Sequence, residues 1–137
     1  MLSLFFRYHL FLVSLSETDL IRQGVELFNR GEFFACHEVL EQVWLEAREP
    51  QKLFLQGLIQ IAVGFHHLRR NNLVGAQRLL HAGAAKLENT GPSQTWIDSA
   101  ALLAAVEPIL DKVADAKPGD VFITDLAHPS IRFASAD

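Results

Sequence analysis

A histidine and a glutamate four residues apart, His37 and Glu41, are the residues of this chain best placed to do chemistry. On a helix that spacing sets both side chains on one face. Trp44, seven residues from His37, continues the face, while Glu38 lies about 100° further round and points to solvent. An imidazole beside a carboxylate can move a proton near neutral pH, or the two can share a divalent metal ion. The run His37-Glu38-Val39-Leu40-Glu41 is not the zinc-protease motif, which needs a second histidine where Glu41 stands.

Partners for this face are expected from the apolar stretch Leu53–Leu68. It carries Gln56, Gln60 and His67, which share one helical stripe with Val63. Burying a polar group without a partner costs stability, so these side chains must meet other polar groups. His37 and Glu41, on a neighbouring antiparallel helix, are the expected partners. Two readings follow. In one, the residues form a hydrogen-bond network that fixes helix register. In the other they form a ligand or metal site, with His37, Glu41 and His67 as metal ligands and as the candidates for catalytic work, and Trp44, Gln56 and Gln60 as binding residues. A divalent metal ion is the one cofactor such residues would hold. His66 points elsewhere and is a lesser candidate. Cys36 adjoins His37, but neighbouring helix residues do not face each other, and it reads as a small buried hydrophobe rather than a nucleophile.

The elements that must position these residues are helices. Ser16 caps a first helix carrying Leu20, Val25, Leu27 and Phe28, which Asn29-Arg30-Gly31 ends. A second runs from about Glu32 to Ala47, with Phe33, Cys36, Val39, Leu40, Val43 and Trp44 at three- and four-residue spacing. Pro50 opens a third, to about Arg70, whose apolar residues go nearly all the way round, marking it as central. A fourth is predicted from about Leu73 to Leu87. A fifth is predicted from a Ser93 cap to about Ala114, with Pro108 kinking or interrupting it. The turns at Gly31 and Asn71-Asn72 echo each other at an offset of 40 residues, each with a small residue, Ala35 or Gly75, just after it. The fold class is therefore all-α: an up-and-down bundle of about five helices, two helical hairpins and a closing helix. Residues 16–115 form the bundle, 1–15 an apolar N-terminal extension and 116–137 an irregular C-terminal tail.

Composition bounds the function. The chain has 137 residues, half of them apolar and 20% charged, which is globular composition for one domain. A formal net charge of −4, with Arg69-Arg70 as the only adjacent basic pair, excludes a nucleic-acid footprint. The apolar run Leu2–Val13 is too short to span a bilayer and has Arg7 and His9 in its middle, so neither a membrane span nor a signal peptide is expected. A single cysteine precludes an internal disulfide and fits a reducing, cytoplasmic setting.

Two stretches resemble a known family. Phe28-Asn29-Arg30-Gly31-Glu32-Phe33-Phe34-Ala35-Cys36-His37-Glu38-Val39-Leu40-Glu41-Gln42-Val43-Trp44 and Phe54-Leu55-Gln56-Gly57-Leu58-Ile59-Gln60-Ile61-Ala62, with His67-Leu68-Arg69-Arg70-Asn71-Asn72 after them, are similar to the bacterial and archaeal domain-of-unknown-function family 309. The resemblance covers about Glu17–Leu87. Its hallmark, a histidine, a glutamate four later and a tryptophan three after that, falls on His37, Glu41 and Trp44. It implies an all-helical bundle without an established activity, for which a metal-dependent hydrolase role has been suggested. The chain departs from the family in having Asn71 or Asn72 where a turn glycine is usual, and in Cys36, a position commonly filled by other residues. Two functions stand side by side: a ligand- or metal-binding protein using His37, Glu41 and His67, and a helical interaction module with an exposed apolar groove or a homodimer face, drawing on Phe5, Phe6 and Phe11, in which the polar stripe is structural.

Overall fold

The computed structural model describes residues 15–120 and 128–134. Among these residues five α-helices follow one another: α1 Glu17–Asn29, α2 Phe33–Glu46, α3 Gln51–Arg69, α4 Leu73–Thr90 and α5 Ser99–Val113, with a short 3₁₀ turn at Gly91–Ser93 between the last two. Among the described residues the only β pairing is an isolated antiparallel bridge, Ile97 to Phe133. The all-α class and the arrangement of two hairpins plus a closing helix are as expected. The apolar extension at 1–15 lies, apart from Leu15, outside the described residues, as do 121–127 and 135–137 of the tail.

The helix ends follow from local chemistry. Ser16 caps α1 by accepting from the Asp19 N–H at 3.1 Å. The 40-residue echo is a repeated helix stop. Gly31 and Asn71 both take left-handed backbone, at φ 79° and 57°. The N–H groups of Gly31 and Glu32 bond Phe28 O and Leu27 O, while those of Asn71 and Asn72 bond Leu68 O and His67 O. This is the Schellman pattern, and it turns each hairpin with the same geometry.

Helix α3 is central, as its all-round apolar pattern predicts. Phe54, Leu55, Leu58, Ile61, Ala62 and Phe65 are all buried. It runs parallel to α1: Gln51 donates to Glu17 at 2.8 Å, Phe65 meets Phe28 edge-on with centroids 5.9 Å apart, and Arg69 donates to Gly31 O. Against α4 it packs backbone to backbone. A Cβ added to Gly83 would stand 2.7 Å from Gly57 O, closer than atoms can sit.

Two boundaries differ from expectation. Helix α4 continues to Thr90, and α5 begins at Ser99 rather than at Ser93. The cap is Asp98, which accepts from Ala101 N at 3.0 Å, whereas Ser93 Oγ donates to Thr90 O. The cause is tertiary. Residues 96–98 are tied to the returning chain, with Asp98 N donating to Arg132 O and Ala134 N to Trp96 O. Pro108 does not interrupt α5; it lies on an exposed face, where only one helix bond is lost.

Candidate functional site

Helix α2 buries Phe33, Cys36, Val39, Leu40 and Val43. His37 and Trp44 therefore fall on its border with α3, and Phe34, Glu38, Glu41 and Leu45 on its outer side. His37 Nε2 lies 3.0 Å from Glu41 Oε2, and His37 Nδ1 lies 3.3 Å from Phe34 O. Both neighbours are acceptors when Glu41 is ionised, so the ring satisfies both only when it carries two protons, and the pair is then an ion pair. The two side chains are 24% and 43% exposed. Water therefore screens the pair.

Two contacts fix the antiparallel register of α2 on α3. At one end the rings of Phe34 and His66 lie 5.3 Å apart. At the other, Lys52 Nζ sits 4.7 Å from the centre of the Trp44 ring. Counting inward from either contact brings His37 level with residues 59–63 of α3, the stretch that holds Gln60.

The expected convergence on His37 and Glu41 is not what the side chains do. His67 Nδ1 accepts from Asn72 Nδ2 at 3.2 Å, and Asn72 Oδ1 in turn caps α4 by accepting from Gly75 N. That ties His67 to the start of α4 rather than to the pair. Among the described residues Gln60 Oε1 is buried with no hydrogen-bond partner, and so is Trp44 Nε1. No hydrogen bond joins Gln56 to the pair. Among the described residues no three His, Cys, Asp or Glu side chains are grouped to hold a metal ion. The sequence underrated His66, which stands between the Phe34 ring and His67. Its pKa is lowered by burial, then by the charges of Arg70, His67 and His37. Cys36 is fully buried, and burial pushes its thiol up to about 12, which leaves no thiolate to attack anything near neutral pH.

Two outer residues of α2 went unremarked in the sequence although a helical wheel holds the signal. Phe34 and Leu45 are 51% and 57% exposed. Eleven residues apart, they sit within about 20° of one another and opposite the buried side.

All of these residues from Phe34 to Asn72 lie within a segment, 21–79, that matches the family model described as a domain of unknown function, DUF309. The matched segment, 21–79, is similar to the DUF309 domain. It comprises most of α1, all of α2 and α3, and the first part of α4; α5 and the returning segment 128–134 lie beyond it. The chain is similar to the uncharacterized protein YpuF of Bacillus subtilis (strain 168), 32% identical over 92 residues, which are 65% of this chain and 53% of that protein. It is also similar to an uncharacterized protein of Aquifex aeolicus (strain VF5), 26% identical over 95 residues, 69% of this chain and 28% of the relative. The chain thus spans about half of the first relative and less of the second. No solved structure matches it.

Proposed function

We propose that the chain is a protein-interaction module and that the outer face of α2, with the adjoining edge of α3, is its binding surface. One observation carries this reading. Two of the three large hydrophobic side chains exposed among the described residues, Phe34 and Leu45, fall on a single stripe of α2 that also bears Glu41. Exposed large apolar side chains that share a face and are rimmed by polar groups mark interaction sites. The alternative of a metal-dependent hydrolase has only the His37–Glu41 pair to rest on, because among the described residues the pair gathers no third ligand and the one thiol is sealed in the core. Isotope-labelled chain titrated with amphipathic helical peptides tests the proposal. Backbone shifts should cluster over residues 34–45 and 52–66. No shift at about millimolar peptide, or shifts confined to other surfaces, would sink it.

The unpartnered Trp44 Nε1 and Gln60 Oε1 favour a second reading, a small ligand seated along the α2–α3 seam. Groups held unpaired for a ligand cost the free chain stability, so Trp44→Phe and Gln60→Met should each stabilise it by about 1 kcal/mol in urea unfolding. Unchanged or reduced stability in both removes this reading.

A further inference from the structure

The pattern along the outer stripe of α2 specifies what can dock there, granted the interaction reading above. Phe34 and Leu45 lie about 16 Å apart along the helix axis. Glu38 and Glu41 stand between them. Among the described residues Glu38 has no ion-pair partner, and Glu41 has only His37. From end to end the stripe is apolar, acidic, acidic, apolar.

We propose that this face binds a cationic amphipathic helix of a partner protein. That helix carries two large apolar residues about 11 positions apart, matching Phe34 and Leu45, with Lys or Arg between them to meet Glu38 and Glu41. The apolar ends supply contact area, and the carboxylates select the partner by charge. The net charge of −4 on the chain steers a cation toward it. The other occupant to weigh is a second copy of this chain. Antiparallel two-fold pairing of α2 on itself would set Phe34 of one copy on Leu45 of the other, a good apolar match. The same operation sets Glu38 of each copy against Glu41 of the other, so four carboxylates meet at the crossing. Like charges juxtaposed across an interface oppose association, and the cationic helix is therefore the better occupant.

The test uses the full chain and two synthetic helical peptides, each with leucines about 11 positions apart, one with lysines between them and one with glutamates. Binding is followed by fluorescence polarisation at low and high salt. The lysine peptide should bind at least about tenfold more tightly than the glutamate peptide, and the gap should narrow as salt screens it. Glu38→Lys, which cancels the charge of Glu41, should abolish the preference, and Phe34→Ala should weaken both peptides, with far-UV circular dichroism showing each variant folded. Equal binding of the two peptides overturns the charge assignment and leaves the face standing. Binding of neither overturns the face, and the proposed function with it. A light-scattering mass of two chains that Phe34→Ala reduces to one assigns the face to a second copy instead.

Discussion

His37 and Glu41 hold one another at 3.0 Å, yet both are partly exposed, and exposure decides what the contact is worth. A helical pair of this kind stabilises by about 0.5 kcal/mol or less. His37→Ala should accordingly shift the urea midpoint very little; a loss above about 2 kcal/mol would mean the pair is a structural keystone after all. His66 behaves differently. Its pKa is held below the ordinary 6.5, first by burial and then by neighbouring positive charges, so below pH 6.5 the folded chain takes up fewer protons than the unfolded one. The stability this represents is present above pH 6.5 and lost as the pH falls through the folded-state value. Melting temperatures from pH 7.5 to 5 should fall less in His66→Gln than in the parent chain, and equal slopes would refute the assignment. Cys36, with its thiol pushed up to about 12, should resist a disulfide reagent at pH 8 in the folded chain and react once urea unfolds it.

Between elements, α3 and α4 approach closely where Gly57 and Gly83 let two backbones touch. An alanine Cβ at Gly83 would meet Gly57 O at 2.7 Å and Ile61 Cγ1 at 2.7 Å, while one at Gly57 meets nothing nearer than 3.1 Å. At an open helical site Gly→Ala gains about 0.5–1 kcal/mol. Here Gly83→Ala should instead cost about 2 kcal/mol or more, and Gly57→Ala less, because a carbonyl in a buried helix cannot give way. Urea unfolding of both variants checks the order; a neutral Gly83→Ala would show that the helices can slide apart. Neither glycine announces itself in the sequence. A glycine in an apolar helix reads as a weak spot until the facing glycine is known, and Gly57 and Gly83 are brought together only by the turn at Asn71.

The whole molecule is closed by its C-terminal segment. Asn29, at the end of α1, donates to Ile131 O at 2.9 Å and accepts from Ile131 N at 2.7 Å, so one side-chain amide does the work of a paired strand. Ile131 inserts into the core at 3% exposure, and His128 sits edge-on to Phe28 and Phe33. This returning segment connects the first hairpin to the loop before α5. Asn29→Ala leaves the backbone N–H and C=O of Ile131 without their partner. It should cost about 2 kcal/mol and open residues 96–98 and 131–134 to hydrogen exchange while α3 amides stay protected. Uniform loss of protection would mean that the segment and the helices unfold as one unit.

Period and punctuation in the chain are enough to determine the five helices, the two matching turns, the centrality of α3 and the pairing of His37 with Glu41. These depend on spacing along one helix and on local φ/ψ chemistry, which neighbouring residues settle among themselves. The partners across the α2–α3 seam are another matter. Gln60 and His67 share a stripe that points at the pair on paper, yet Asn72 draws His67 to the cap of α4 and Gln60 Oε1 is left alone. Which of several polar groups within reach is chosen depends on register and rotamer to within an ångström, set by packing across the whole bundle. The start of α5 was lost for a related reason, since Ser93 and Asp98 are both good caps and only the returning chain at 132–134 decides between them. Helix period alone locates the outer stripe of Phe34 and Leu45; its standing as an open face was decided by the tertiary structure, which covers the opposite side of α2 and leaves this one to water.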